Sequence, residues 1–324
     1  MQACKPADKD KKIFDLTKVF TGAQGTLGML LEAGLELVPV FKHREMEIIF
    51  LNDMNHLGQI IDTVLPLKPE SFESYDDNTL KLALKYFPEF AKQLGPKGMI
   101  EAGLAFMPAF MEMFTGKLPK LILQVDFTGD NPEELKQKIQ TLREKLKPLH
   151  HVTRVSVDDQ EKKYWLVRRE SFNLLRKKIR DKHTAPFIDD FVINPHDIAT
   201  VIPQVTDILK KHPEFIFTVA GHVGDGNFHI IPLVDIKNPA VRELIPEISK
   251  EVYGIITKHK GSITGEHNDG LIRSPYLKLM YGEKIYELFE QTKKIFDPDN
   301  IFNPGKKVNS SMEYSMNHIR TNWD

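Results

Sequence analysis

Cysteine is nearly missing from this chain. With Cys4 alone among 324 residues, no internal disulfide can form, which fits a reducing compartment. Long apolar runs are missing as well, and without about 18–20 consecutive apolar residues no membrane-spanning helix is expected. Charge of one sign is also lacking. Lys and Arg number 44 against 45 Asp and Glu, a net of −1, so there is no broad cationic surface for nucleic acid. The stretch from Met1 to Lys12 is polar and Lys-rich and has no apolar segment of the secretory kind. The expected location is therefore the cytoplasm, free or peripheral to the inner face of the membrane. No repeat and no low-complexity segment occurs. What remains is ordinary globular composition, 41% hydrophobic and 27% charged, over a length sufficient for two cores.

The most informative stretch is Gly221-His-Val-Gly-Asp-Gly-Asn-Phe-His229. Apolar, β-branched runs flank it, Phe215 to Ala220 before and Ile230 to Val234 after, and the Asp-Gly step marks a tight turn. The spacing predicts a hairpin with His222 opposite His229, close enough for two imidazoles to share a metal ion. A second polar loop, Gly261 to Gly270, carries Glu266 and His267 side by side. Single histidines are usually surface or core residues. Two of them around a Gly/Asp/Asn turn, with a Glu-His pair elsewhere, favour a metal or catalytic centre over chance. Two His and one carboxylate form a catalytic-type shell with an open position. That shell leaves His267 to move protons. The donor set suits zinc and also iron or manganese.

The rest of the chain reads as alternating helices and strands. Strands are expected over Glu47–Leu51, Leu121–Phe127, His151–Val157 and Phe187–Ile193. Helices are expected over Asn55–Leu65, Leu80–Leu94, Met99–Phe114, after Asn131-Pro132, over Glu161–Asp181, from Asn194-Pro195 to Lys211, over Pro239–His259 and over Lys284–Phe296. Pro66 to Tyr75 reads as a connector and Pro246 as a break near the start of its helix. The later part of Met29 to Val40 reads as a strand. Thr21-Gly-Ala-Gln-Gly-Thr-Leu-Gly28 is a glycine-rich turn region, equally suited to tight turns and to backbone approach by a ligand. The fold class implied is α+β, an antiparallel sheet with helices on one face.

Four stretches, taken together and in order, resemble the FAD-linked oxidases and dehydrogenases of the vanillyl-alcohol-oxidase type. The resemblance is to their D-lactate, glycolate and D-2-hydroxyglutarate dehydrogenase branch. The stretches are Thr21–Gly28, Gly221–His229, Gly265-Glu-His267 and Phe296-Asp-Pro-Asp-Asn-Ile-Phe-Asn-Pro-Gly-Lys306. The resemblance runs from about Phe14 to Lys307. It implies a ferredoxin-like cap domain over 46–295, a remnant of an FAD-binding domain over 1–45, and a segment over 296–324 returning to the flavin domain. It further implies FAD and a divalent metal, with zinc the expected ion, held by His222, His229 and Glu266. His267 is implied as the base and Arg168 as the grip on the substrate carboxylate. Thr21, Gly22, Gln24, Gly25, Gly28 and Asn303 are implied as flavin contacts.

The family's first flavin-binding half would precede Thr21, where only some twenty residues stand. A separate FAD-binding half is therefore an expected partner, beside a quinone or cytochrome as electron acceptor. Ile231 and Phe172 replace an Asn and a Thr of the hydroxyglutarate-type members. Both changes point to a small or apolar D-2-hydroxy acid such as D-lactate. The competing expectation is a non-catalytic metal-binding or interaction module that has lost its flavin half.

Overall fold

The computed structural model describes residues 15–85, 118–149, 152–156, 165 and 182–321. The helices expected over 99–114 and 161–181 lie outside the described residues, except for Trp165. The chain forms two compact units, Val38–Ile263, and Met1–Leu37 together with Thr264–Asp324.

The first unit is α+β, as expected. Its strands are β1 (His43–Leu51), β2 (Ser71–Asp76), β3 (Leu121–Gly129), β4 (Val152–Ser156), β5 (His183–Thr184), β6 (Phe191–Val192), β7 (Val219–His222), β8 (Asn227–Ile230) and β9 (Leu233–Val234). Seven of them form one antiparallel sheet in the order β4-β1-β3-β2-β7-β8-β6, while β5 pairs with β9. The longest ladder joins β1 to β3, from His43 opposite Gly129 to Leu51 opposite Leu121. Leu121 to Phe127 are buried without interruption, so β3 is covered on both faces.

The helices are α1 (Leu57–Val64), α2 (Asp77–Lys85), α3 (Pro132–Leu146), α4 (Ile198–Lys210) and α5 (Pro239–Lys258). α3 starts as its sequence dictates. Pro132 occupies the first turn, and the Asn131 side chain accepts from Glu133 N at 3.0 Å. Its stripe of Leu135, Ile139, Leu142 and Leu146 is buried, and the helix packs on β1 and β3. This is the sheet face that carries Ile49, Leu123, Val125 and the fully buried Glu47. Arg143 on α3 donates through Nε and Nη2 to both Glu47 oxygens at 3.0–3.2 Å, which satisfies the buried charge.

Several expectations change. The supposed connector before Tyr75 contains β2. The strand expected over Phe187–Ile193 shrinks to two residues, because Asp190 takes a left-handed conformation with φ +69°. α5 continues through Pro246 without a break. Burial of Val241, Ile245, Ile248, Val252 and Ile256, each worth about 1.5–3 kcal/mol, outweighs the roughly 3 kcal/mol that an internal proline costs. Residues 29–40 form no strand. Their large apolar side chains stand in solvent, from 74% exposed at Leu30 to 95% at Val40.

The second unit is built around α6 (Glu283–Phe296). Leu277, Tyr286 and Val308 are buried together, with Tyr281 and Phe289 packed against them. Phe20 meets Phe296 edge to face at 5.3 Å. The buried Lys293 ammonium donates to Thr26 O and Phe302 O, both at 2.6 Å, and pairs with Asp297. Asp297 in turn accepts from Ile301 N at 2.9 Å and Phe302 N at 2.8 Å, which fixes the Asp-Pro-Asp-Asn turn.

Candidate functional site

The hairpin β7–β8 forms, but its register differs from the expected one. His222 pairs with Asn227 and His229 with Ala220, so the two histidines are diagonal rather than opposite. The cause is a short loop. Val223–Asp225 form one 3-10 turn and Gly226 closes it at φ +68°, leaving too few residues for the symmetric pairing. Diagonal partners two residues apart still share a face. The imidazole centroids lie 5.4 Å apart with the rings nearly perpendicular, at 89°. The pairing of the side chains survives even though the register predicted for it does not.

Glycine is required where the hairpin meets its neighbours. A Cβ on Gly221 would lie 2.3 Å from Asn227 O, and one on Gly226 would lie 1.9 Å from Ile193 O. Gly226 O accepts from Ile193 N at 2.9 Å, which seats the turn against the end of β6.

Each imidazole has a buried carboxylate on its Nδ1. Glu73 Oε1 lies 2.9 Å from His222 Nδ1, and Asp189 Oδ1 lies 3.1 Å from His229 Nδ1. The ladders bring Glu73 there directly. Ile48, Gln124, Glu73, His222, Asn227 and Val192 are successive cross-strand partners over six strands and therefore share one face. It is the face opposite α3. The neighbouring row carries Ser71 and Asp126, and Asp126 Oδ2 accepts from Ser71 Oγ and Trp165 Nε1, both at 3.0 Å. Asp190 accepts from Asn227 Nδ2 at 3.0 Å, and its carboxylate lies within 4.8 Å of a ring nitrogen of His229. His229 and Asp190 offer nitrogen and oxygen donors that suit a divalent cation, while His222 is not among the residues whose ligand atoms gather within 4.8 Å of them.

Sequence reasoning missed Glu73, and it read Asp189 and Asp190 only as strand residues. The signal for Glu73 was faint, because Ser-Phe-Glu-Ser-Tyr-Asp alternates without an apolar inner row. Arg168 and Phe172 lie outside the described residues.

The second unit holds the other motif residues. Glu266 and His267 occupy one exposed loop, with Glu266 Oε1 3.7 Å from His267 Nε2. Thr21–Gly28 is a chain of tight turns in which Gly22, Gln24, Gly25 and Gly28 all have positive φ. Groups from the distant end of the chain fasten it. Asn268 Nδ2 donates to Gly22 O at 2.6 Å, Gly270 N to the Gln24 side chain at 3.1 Å, and Asn303 Nδ2 to Gln24 O at 2.7 Å. The first and last of the four sequence motifs are thus one substructure, with Gln24 and Asn303 at its centre. Lys307 pairs with Asp269 at 2.6 Å and also bonds Asn268, tightening the same knot.

A family model described as FAD linked oxidases, C-terminal domain, matches residues 41–307. The D-2-hydroxyglutarate dehydrogenase of Pseudomonas putida is 28% identical over 299 residues, covering 90% of this chain and 28% of that protein. The glycolate oxidase subunit GlcD of Bacillus subtilis is 26% identical over 300 residues, covering 92% of this chain and 58% of that one. A D-lactate dehydrogenase of Anaerostipes hadrus is 25% identical, with coverage of 90% and 58%. The chain thus spans from 28% to 58% of the length of these relatives. Among solved structures, p-cresol methylhydroxylase with substrate bound aligns at a TM-score of 0.63 and 16% identity, over 94% of this chain and 61% of that one. Alkyldihydroxyacetonephosphate synthase aligns at 0.58 and 15%, over 93% and 51%. At such identities these structures speak for the fold alone. No helix among the described residues is long and apolar enough to cross a membrane.

Proposed function

Because this chain belongs to the family of FAD-linked oxidases, matching their C-terminal domain, we propose that it is the substrate- and metal-holding part of a flavin-dependent enzyme that oxidises a small D-2-hydroxy acid to the 2-oxo acid. The observation that carries the reading is the pair His222 and His229, set edge to face at 5.4 Å with a buried carboxylate on each Nδ1. Relatives named for D-2-hydroxyglutarate, D-lactate and glycolate support the substrate class.

In this reading bound FAD supplies the hydride acceptor, and a bound divalent ion, zinc before others, acidifies the substrate hydroxyl. His222 and His229 hold the ion from the sheet unit. Glu266 as third ligand and His267 as acceptor of the hydroxyl proton lie in the other unit, and their part rests on the sequence motif. Arg168 grips the substrate carboxylate, which a guanidinium matches in a two-pronged way. Thr21, Gly22, Gln24, Gly25, Gly28 and Asn303 face the flavin. The division into a flavin-domain remnant over 1–45, a cap over 46–295 and a returning segment over 296–324 is part of the same proposal. The exposed apolar side chains of residues 29–40 support contact with a flavin-binding half, because that much apolar surface normally marks an interface. A quinone or cytochrome would then receive the electrons, in the cytoplasm or at the inner face of the membrane.

Metal analysis tests the centre. The purified chain is expected to carry about one divalent ion, and the His222→Ala chain to lose it. Equal metal content in the two chains would overturn the assignment. The substrate is tested on enzyme reconstituted with a flavin-binding half. Ile231 and Phe172 predict D-lactate turnover well above that of D-2-hydroxyglutarate, and comparable rates would refute the small-acid reading.

A further inference from the structure

We propose that Glu73 and Asp189 are positioning residues that lock His222 and His229 in the Nδ1-protonated form and so fix Nε2 as the ligating nitrogen of both. The proposal rests on the metal reading above and adds to it the two groups that prepare the ligands.

An ionised carboxylate only accepts hydrogen bonds, so an imidazole nitrogen beside one must donate. At 2.9 Å for His222 and 3.1 Å for His229, both contacts are of hydrogen-bond length. A neutral imidazole that carries its proton on Nδ1 presents its lone pair on Nε2. The same carboxylate also makes that lone pair more basic, which strengthens a metal bond.

The delivery of the two acids is rigid. Glu73 sits directly opposite His222 in the β2–β7 ladder, so main-chain register sets the contact. Asp189 is held from the other side by the bend at Asp190, where φ is +69° in a fully buried residue. A non-glycine residue in that conformation persists only where its surroundings enforce it. With Glu73 at 5% exposure and Asp189 at 2%, water competes little for either contact. The two acids come from opposite flanks of the hairpin and engage the same ring atom of each histidine. A pair of unrelated structural contacts would have no reason to agree in this way.

The test has two arms. In the first, the chain is labelled with 15N-histidine and kept metal-free, and long-range 15N–1H correlations read the tautomers. The wild type is expected to show Nδ1–H for His222 and His229, and Glu73→Leu to shift His222 alone toward Nε2–H. An Nε2–H form of either residue in the wild type overturns the proposal, whatever metal does. In the second arm, Co(II) affinity is measured by chelator competition together with its visible spectrum. Glu73→Leu and Asp189→Leu are expected to weaken binding 10–100-fold. Glu73→Gln, whose amide oxygen still accepts from Nδ1–H, is expected to stay within a few-fold of wild type. Affinity unchanged in a folded Glu73→Leu chain sinks the positioning role alone. Failure of the wild type to bind Co(II) sinks the metal reading itself, so the two failures are distinct. The Gln variant and the wild-type spectra keep the test decisive even if the Leu variants do not fold.

Discussion

Gly226→Ala is expected to destabilise the sheet unit by about 4 kcal/mol and to remove with it the ion binding proposed above. Two costs add. A side chain at φ +68° costs about 1 kcal/mol in backbone strain. The new Cβ would also stand 1.9 Å from Ile193 O, a backbone atom that cannot rotate away. Relieving that clash breaks the Ile193 N to Gly226 O bond and pulls the turn off β6, which moves His222 and His229 relative to Asp189. Urea unfolding of the variant beside Gly254→Ala checks the cause. Gly254 lies within α5, and a Cβ there meets nothing within 4 Å. Its replacement is expected to stabilise by about 0.5–1 kcal/mol through helix propensity. If both variants behave alike, the clash is not the reason.

Between pH 4 and pH 7, Asp76→Asn is expected to gain about 3 kcal/mol of stability relative to the parent chain. Asp76 ends β2 and caps α2, accepting from Thr79 N at 2.9 Å and Thr79 Oγ1 at 2.6 Å. Burial pushes its carboxyl from 3.8 up to about 6, against the Thr79 hydrogen bonds that pull it down. The folded chain therefore holds this proton more tightly than the unfolded chain does. The group's favourable contribution is fully present below about pH 4 and is lost as pH rises through about 6. Asparagine keeps the oxygen that accepts from Thr79 and cannot ionise, so it escapes the loss, at the pH-independent cost of the bond that Asp76 accepts from Val219 N. Unfolding both chains at intervals over that range gives the difference directly, and a difference constant with pH would refute the account.

These two residues also show what the amino-acid order disclosed. The hairpin was legible because turn chemistry is local. Gly, Asp and Asn between β-branched runs leave few alternatives, and the histidines flanking the turn advertise themselves. α3 was equally plain from Asn131-Pro132 and its apolar stripe. β2 was hidden for the reason that makes it important. Ser71, Glu73 and Tyr75 point toward a buried polar row, so the strand lacks the apolar rhythm by which strands are recognised. The same logic erased most of the strand expected over Phe187–Ile193, where Asp189 and Asp190 serve the histidine and its neighbour rather than a ladder. The diagonal register could not be read either, since it depends on whether Gly226 closes the turn two residues early.

The knot around Gln24 has a consequence for biosynthesis. Its fastener Asn303 follows it by 279 residues. At about 5–20 residues per second, a ribosome takes roughly 15–55 s to make that stretch. Throughout that interval the early turns stand unfastened, beside the water-facing leucines and valines that follow them. The nascent chain thus offers a greasy handle while its clasp is still being made, a natural point for a chaperone to take hold.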